Sequence, residues 1–208
     1  MQTTLLIATS NPHKVEEIAA VLGPLGITCT SLSALPMSID EPEETGTTFE
    51  ANAFLKANWY AKHSGCIALA DDSGLEVDAL GGAPGIFSAR YAGIGNTRQE
   101  RDDANNLKLL AALEGIPVEQ RAARFVCALS IATPEGNEIA SARGDFPGVI
   151  GAAPRGVNGF GYDPLLVLED GRTSAELSSA EKNARSHRGV ALQILAMALG
   201  HQSKALSR

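Results

Sequence analysis

Residues 3–22 read TTLLIATSNPHKVEEIAAVL, and this stretch predicts a strand, a tight loop and a helix in succession. The strand is the short apolar run from Thr3 to Ala8. After the loop, apolar residues recur at the spacing of one helix face, namely at Val15, Ile18, Ala19 and Leu22. Asn11 is placed to cap this helix, and Pro12 suits its first position, where a missing amide hydrogen costs nothing. The free amides at the start of the helix therefore face the loop.

Further helices and strands are predicted in the first half of the chain. A second helix is predicted to begin at Thr47, which forms a capping box with Glu50. Cys66 to Ala70 predicts a buried strand that ends before Asp71. The glycines of residues 81–85 then predict a long ordered loop.

The second half predicts a helix, a hairpin and a closing helical segment. The helix covers Arg98 to Leu113, and the hairpin strands are Phe125 to Ala132 and Glu138 to Arg143. Ala180 to Leu199 is predicted to be largely helical, with Ser186 able to cap a fresh start within it. Strands interleaved with helices, together with the hairpin, predict a mixed α/β fold with a single elongated β-sheet flanked by helices.

Composition narrows the class of protein. The 208 residues are 44% hydrophobic, which suffices for one compact domain at residues 1–200, followed by a polar C-terminal tail at 201–208. A net charge of -7 and a pI near 5.1 argue against a nucleic-acid partner. No apolar run approaches the ~20 residues of a membrane span, and no basic signal region is present, so a cytoplasmic protein without a membrane partner is expected. The three cysteines indicate reduced core residues.

The loop between the first strand and helix combines hydroxyls, exposed amides and a lysine. It consists of Thr9, Ser10, Asn11, Pro12, His13 and Lys14. Such groups hold phosphate oxygens, because amides at a helix N-terminus attract anions. For this loop taken alone, an ordinary capped helix with a solvated lysine is the alternative.

Two acidic clusters stand before the second helix and after the predicted buried strand. The first is Glu43-Glu44 and the second is Asp71-Asp72. Magnesium prefers one or two carboxylates together with phosphate oxygens and water, so the clusters predict a metal-triphosphate site. A solvated acidic run is the alternative for the first cluster. The second is the stronger candidate, because buried carboxylates must be paired or metal-bound.

Two further groups could contact a ligand. Residues 159–163 read GFGYD, where the glycines permit close backbone approach, Phe160 offers a stacking face and Asp163 an acceptor. A basic cluster follows at Lys182, Arg185, His187 and Arg188. The alternatives are a glycine-rich turn with core aromatics for the first group and a solvated helix face for the second.

Taken in order, these segments resemble the inosine triphosphate pyrophosphatase family, also described as the dITP/XTP pyrophosphatases. The resemblance runs from Leu5 to about Leu195. It is carried by these segments: TSNPHK (9–14), EETG (43–46), NA (52–53) with KA (56–57), ADDSGL (70–75), GGAPGIFSARYAG (81–93), FGYDP (160–164) and EK (181–182) with SHR (186–188). It implies an enzyme that cleaves ITP, dITP and XTP to the monophosphate and pyrophosphate, with water attacking the α-phosphorus.

The resemblance also implies roles for individual residues. Glu43 and Asp72 would bind Mg²⁺, Asp72 would activate the attacking water, and Ser73 would touch the substrate. The triphosphate would be held by Thr9, Ser10, Asn11, Pro12, His13, Lys14 and Lys56. The base pocket would consist of Phe160, Gly161, Tyr162, Asp163, Lys182, His187 and Arg188.

At the level of the whole molecule, the resemblance implies an active-site cleft between two lobes. It also implies a homodimer whose interface lies near residues 81–93. Two other classes stay open. A septum-inhibition-type nucleotide pyrophosphatase would share the opening phosphate loop, but residues 160–163 and 186–188 speak against it. A non-catalytic nucleotide-binding module would need no paired acidic clusters.

Overall fold

The computed structural model describes residues 4–9 and 11–206. Its strands are β1 (Thr4–Ile7), β2 (Thr28–Ser31), β3 (Ala68–Val77), β4 (Ala122–Ala132), β5 (Glu138–Ile150) and β6 (Leu166–Val167). Its α-helices are α1 (Pro12–Leu22), α2 (Phe49–Ser64), α3 (Arg98–Ala112), α4 (Ser179–Arg185) and α5 (His187–Leu206). None of these helices is long and apolar enough to cross a membrane.

The six strands form one sheet in the order β2-β1-β3-β4-β5-β6. Strand β1 pairs in parallel with both β2 and β3. Strand β5 pairs antiparallel with β6. The sheet is therefore mixed, and the predicted α/β class is confirmed.

The chain divides into two compact units. The first comprises Met1–Asp72, Cys127–Gly144 and Arg188–Arg208, and the second comprises Ser73–Val126 and Asp145–His187. Each unit has its own buried apolar residues. The predicted cleft and the predicted single domain stay predictions.

The first unit has a buried apolar cluster on each face of its strands. One cluster joins Leu5 and Leu69 to residues of α1 and α5, such as Ile18 and Leu195. The other joins Ala68 and Ala70 to residues of α2. Successive side chains of a strand point to opposite faces, so neighbouring residues of β3 meet different helices.

Strand β3 is longer than the sequence predicts. The prediction ends this strand at Ala70, but it continues to Val77, so Asp71 and Asp72 lie inside it. Both carboxylates are buried there. Buried charges are tolerated when each has an ionic partner, and Lys14 and Lys56 supply those partners. Sequence alone does not reveal such partners.

Two other boundaries differ from the prediction. Helix α2 is capped by Thr48 and not by Thr47, because the Thr48 side chain accepts a hydrogen bond from the Ala51 N–H. Helix α5 continues to Leu206, beyond the expected end at Leu199.

The predicted interruption in the C-terminal helical segment is confirmed. Helix α4 ends at Arg185, Ser186 adopts an extended conformation with φ -69° and ψ 159°, and α5 begins at His187. The hairpin is also confirmed, since the Thr133 N–H donates to the Asn137 carbonyl across the turn between β4 and β5.

Candidate active site

The loop after β1 leads into α1 as predicted. The Asn11 N–H donates to Thr9 Oγ1 at 3.2 Å, and α1 begins at Pro12 with His13 and Lys14 in its first turn. Ser10 lies outside the described residues. Helix α1 thus starts directly beside the loop and carries a lysine on its first turn.

Two basic side chains contact the Asp71 carboxylate. Lys14 Nζ donates to its Oδ2 at 2.7 Å and to its Oδ1 at 3.0 Å. Arg188 Nη2 lies 3.4 Å from Oδ2. Burial alone would raise the pKa of Asp71, but the charges of Lys14 and Arg188 outweigh it and hold the pKa well below its usual range. Asp71 is therefore ionised and orients both cations.

Asp72 points to the opposite face of β3, toward α2. Asn52 Nδ2 donates to Asp72 Oδ2 at 3.2 Å, and Lys56 Nζ donates to Oδ1 at 3.1 Å. These donors lie four residues apart on one face of α2. Burial raises the pKa of Asp72, Lys56 opposes it and Glu44 adds to it, and the net shift is upward. Asp72 is thus more basic than its neighbour.

Lys56 joins Asp72 to a second carboxylate. Its Nζ donates to Glu44 Oε1 at 2.7 Å. Burial would lower the pKa of Lys56, but Asp72 and Glu44 raise it. The lysine therefore stays charged and holds the two carboxylates near one another.

The segment that carries Glu44 is fixed to α2 by Asn52. The Gly46 N–H donates to Asn52 Oδ1 at 2.8 Å. A Cβ atom at Gly46 would lie 2.9 Å from the Asn52 backbone nitrogen, so only glycine permits this approach. The resulting register places Glu44 against Lys56, whereas Glu43 is exposed.

The two carboxylates beside Lys56 suit a hard divalent cation. Glu44 and Asp72 supply carboxylate oxygens, which are the ligands that Mg²⁺ prefers, with phosphate and water completing its shell. Among the side chains that the structure describes, no three His, Cys, Asp or Glu residues come together as a metal cluster.

In the second unit, Asp163 organises the predicted ligand-binding turn. Its Oδ2 accepts a hydrogen bond from the Phe160 N–H at 2.8 Å and also contacts Lys182 Nζ. Its Oδ1 accepts from Ser174 Oγ at 2.7 Å. Gly159 has a φ of +81°, and a Cβ there would collide with the Asp163 carboxylate. Both observations require glycine at this position.

The aromatic residues of this turn have different environments. Phe160 is 48% exposed, which leaves ring surface for a ligand. Tyr162 is buried, and its hydroxyl donates to the Ser88 carbonyl at 2.9 Å. His187 is buried and stacks on Phe125 with ring centroids 5.2 Å apart. Ser73 is half-buried in β3.

Sequence reasoning missed several residues that the structure brings to these groups. Glu44 belongs to a recognised acidic pair, but the pattern could not tell which member faces Lys56. The others are Ser174 and three residues of α3 that contact the turn. No local pattern marks them, because their partners are distant in sequence. The α3 residues are Arg98, Asp102 and Asn106.

The fold is that of an α/β protein, and its buried charged groups are of the kind that suit a small polyanion and a divalent cation. The sequence profile of the Ham1 family matches residues 5–198. The chain is 50% identical to the dITP/XTP pyrophosphatase of Nitratidesulfovibrio vulgaris over 200 residues, which are 93% of this chain and 94% of that protein. The chain belongs to the Ham1 family, as the sequence resemblance implied.

Solved structures agree with this assignment. A HAM1 protein from Coxiella burnetii matches with a TM-score of 0.86 at 40% identity, covering 96% of this chain and 99% of that one. The nucleoside-triphosphatase / dITP/XTP pyrophosphatase of Mycobacterium abscessus matches with a TM-score of 0.77 at 46% identity, covering 93% of this chain and 97% of that one. These chains match over almost their whole length.

Proposed function

We propose that this protein hydrolyses the non-standard purine nucleoside triphosphates ITP, dITP and XTP to the monophosphate and pyrophosphate. The observation that carries the proposal is the 50% identity, over nearly the full length of both chains, to a protein named dITP/XTP pyrophosphatase. Hydrolysis of these compounds would remove them from the nucleotide pool.

We assign the metal site to Glu44 and Asp72, with Mg²⁺ as the ion. The sequence resemblance implies Glu43, and that stays a prediction; we favour Glu44 because its carboxylate shares Lys56 with Asp72. When bound, the ion would offset phosphate charge and polarise the α-phosphoryl group. The proposal rests on the convergence of two carboxylates at one lysine.

Asp72 is our candidate for the general base. Burial and the nearby Glu44 raise its pKa, which makes its carboxylate a better proton acceptor than an ordinary aspartate. It would take a proton from the water that attacks the α-phosphorus. Asn52 fixes its orientation through the hydrogen bond to Oδ2.

The cations would bind the triphosphate. Lys14 lies against Asp71 at the start of α1, and Lys56 would add a second positive charge. A triphosphate carries nearly four negative charges, so these groups must offset repulsion before water can approach phosphorus. The backbone N–H groups of His13 and Lys14, in the first turn of α1, would bind further phosphate oxygens.

The turn at residues 159–163 would bind the base. Phe160 offers an exposed ring for stacking, Lys182 a donor and Asp163 an acceptor. Hypoxanthine and xanthine carry an oxygen at position six that accepts hydrogen bonds, whereas adenine carries an amino group there. Leaving a buried donor unsatisfied costs about 1 to 3 kcal/mol, so ATP would be a poor substrate. His187, Arg188, Gly161 and Tyr162 complete the proposed pocket.

We also propose that the protein forms a homodimer near residues 81–93. Phe87 is 55% exposed and the following Ile94 is 68% exposed, and large exposed apolar side chains in one segment favour an interface. Light scattering tests this proposal. A mass equal to the single 21.7 kDa chain at micromolar concentration would contradict it.

A panel of nucleoside triphosphates assayed with magnesium tests the function. ITP, dITP and XTP should release pyrophosphate and the monophosphate, and ATP should react far more slowly. A nucleoside diphosphate as the major product would place the attack at the γ-phosphorus and refute the proposal. Binding of ITP without turnover would indicate a nucleotide-binding module.

A further inference from the structure

Helix α3 presents one side to the turn that contains Phe160 and Gly161. Arg98, Asp102 and Asn106 follow one another at four-residue intervals, so they form a stripe along one face of the helix. All three contact the turn. None of these three residues has a role in the proposed function described above.

Asp102 and Asn106 bind both backbone polar groups of Gly161. The Gly161 N–H donates to Asp102 Oδ2 at 2.9 Å. Asn106 Nδ2 donates to the Gly161 carbonyl at 2.9 Å. Gly161 has a φ of +61°, a left-handed conformation that a tight turn needs. The two bonds therefore hold a residue whose left-handed conformation, like that of Gly159, shapes the turn.

Asn106 also carries a cost that packing alone would not explain. Among the described residues its buried Oδ1 has no hydrogen-bond partner. Leaving a buried acceptor unsatisfied is unfavourable. An apolar side chain would fill the same space without that cost, so the amide is present for its donor.

Arg98 adds a contact with the aromatic ring itself. Its guanidinium carbon lies 4.2 Å from the centroid of the Phe160 ring, which is a cation–π distance. Its Nε lies 3.9 Å from Asp102 Oδ2. The carboxylate that binds Gly161 thus also holds the cation that covers part of Phe160.

We propose that Asp102 and Asn106 are positioning residues for the purine base. They fix the Gly161 backbone, and Asp102 together with Arg98 fixes the Phe160 ring, so that the ring is ready to stack before the nucleotide arrives. Preorganisation of this kind strengthens binding, because the Phe160 ring is already ordered and loses little conformational entropy when the nucleotide binds. This inference rests on the proposed function of the turn as the base site.

Kinetics of matched α3 variants test the inference. Asp102→Ala removes the acceptor for the Gly161 N–H, whereas Asp102→Asn keeps an acceptor oxygen. Asp103→Ala is the control, because Asp103 is exposed and contacts Gln99 of the same helix. KM and kcat are measured for ITP and ATP, and thermal melting checks folding.

Asp102→Ala should raise KM for ITP on the order of tenfold, the usual scale for a lost hydrogen bond to a charged group, with little change in kcat. KM for ATP should rise as well, because stacking on Phe160 does not depend on the group at position six. Asp102→Asn should recover most of the loss, and Asp103→Ala should match the wild type. Asn106→Ala gives a second route to the same KM effect if Asp102→Ala folds poorly.

Failure of the positioning role can be distinguished from failure of the proposed function. Unchanged KM in both Asp102→Ala and Asn106→Ala, with active wild-type protein, would overturn the positioning role alone. A fall in kcat as large as the rise in KM, together with a lower melting temperature, would do the same, because it would indicate a general loss of structure. A wild-type protein that does not hydrolyse ITP would overturn the proposed function, and this inference with it.

Discussion

Asp71 and Asp72 are adjacent in β3 but lie in opposite electrostatic environments, and matched Asp→Asn substitutions should therefore have opposite consequences. Asn keeps the size of the side chain and removes its charge. Asp71 faces two cations, Lys14 and Arg188, and its pKa is held low. Asp72 is buried beside another carboxylate, and its pKa is raised.

The magnitudes follow from these environments. Asp71→Asn leaves two basic side chains without their buried partner, and breaking a buried ion pair costs about 3 kcal/mol of unfolding free energy. Asp72→Asn removes a charge that burial disfavours, while Lys56 keeps its 2.7 Å contact with Glu44. Its effect on stability should stay below about 1 kcal/mol. Its turnover should fall by roughly 10² or more, the scale for losing a positioned general base.

Urea unfolding at pH 7 and a pyrophosphate-release assay with ITP measure the two quantities. The expected outcome is a stable, inactive Asp72→Asn variant and a destabilised Asp71→Asn variant. Equal losses of stability in the two variants would refute the electrostatic assignment. Near-normal turnover of Asp72→Asn would refute its role as the base.

Three further outcomes are expected. The unfolding free energy of the wild type should decline as the pH falls below 3.8, the ordinary pKa of Asp71. A carboxyl whose pKa is lowered in the folded state contributes stability above that pH and loses it below. Urea titrations should show a smaller decline in Asp71→Asn. Gly159→Ala should lower kcat/KM for ITP by about tenfold or more, since its Cβ meets the Asp163 carboxylate and Lys182 Nζ; wild-type kinetics would contradict the close packing at Gly159. Cys127 should stay unmodified by a thiol reagent in the native protein, because burial raises its pKa to about 12; mass spectrometry of the labelled peptides checks this.

The local elements could be predicted because their signals lie close together in sequence. The spacing of apolar residues and the Asn11-Pro12 pair predicted α1, and the capping residue Ser186 predicted the break between α4 and α5. The predicted end of β3 was wrong because it depends on residues that are distant in sequence. Two aspartates suggest the end of a strand unless the distant lysines that pair with them are known.

The candidate site could be predicted only in part. Sequence patterns indicated the acidic clusters and the GFGYD turn, but side-chain partners depend on tertiary packing. The choice between Glu43 and Glu44 depends on how the Asn52–Gly46 hydrogen bond sets the register of an extended segment. The contacts of α3 depend on how the helix packs against a turn about 60 residues away, which no local pattern encodes.

The alternation of side chains along β3 has a further consequence for how a ligand would be oriented. On one face, Asp71 pairs with Lys14 and Arg188, and Arg188 also lies 3.8 Å from Glu17, so two positive charges meet two negative ones. On the other face, Asp72 and Glu44 share one lysine and leave an excess of negative charge. Two consecutive residues thus place a balanced cluster and a negative cluster on opposite sides of a single strand. A nucleotide that carries its own cation has a positive and a negative end, and its energy is lowest with the cation toward Asp72, so polarity alone would discriminate between the two ways of entering.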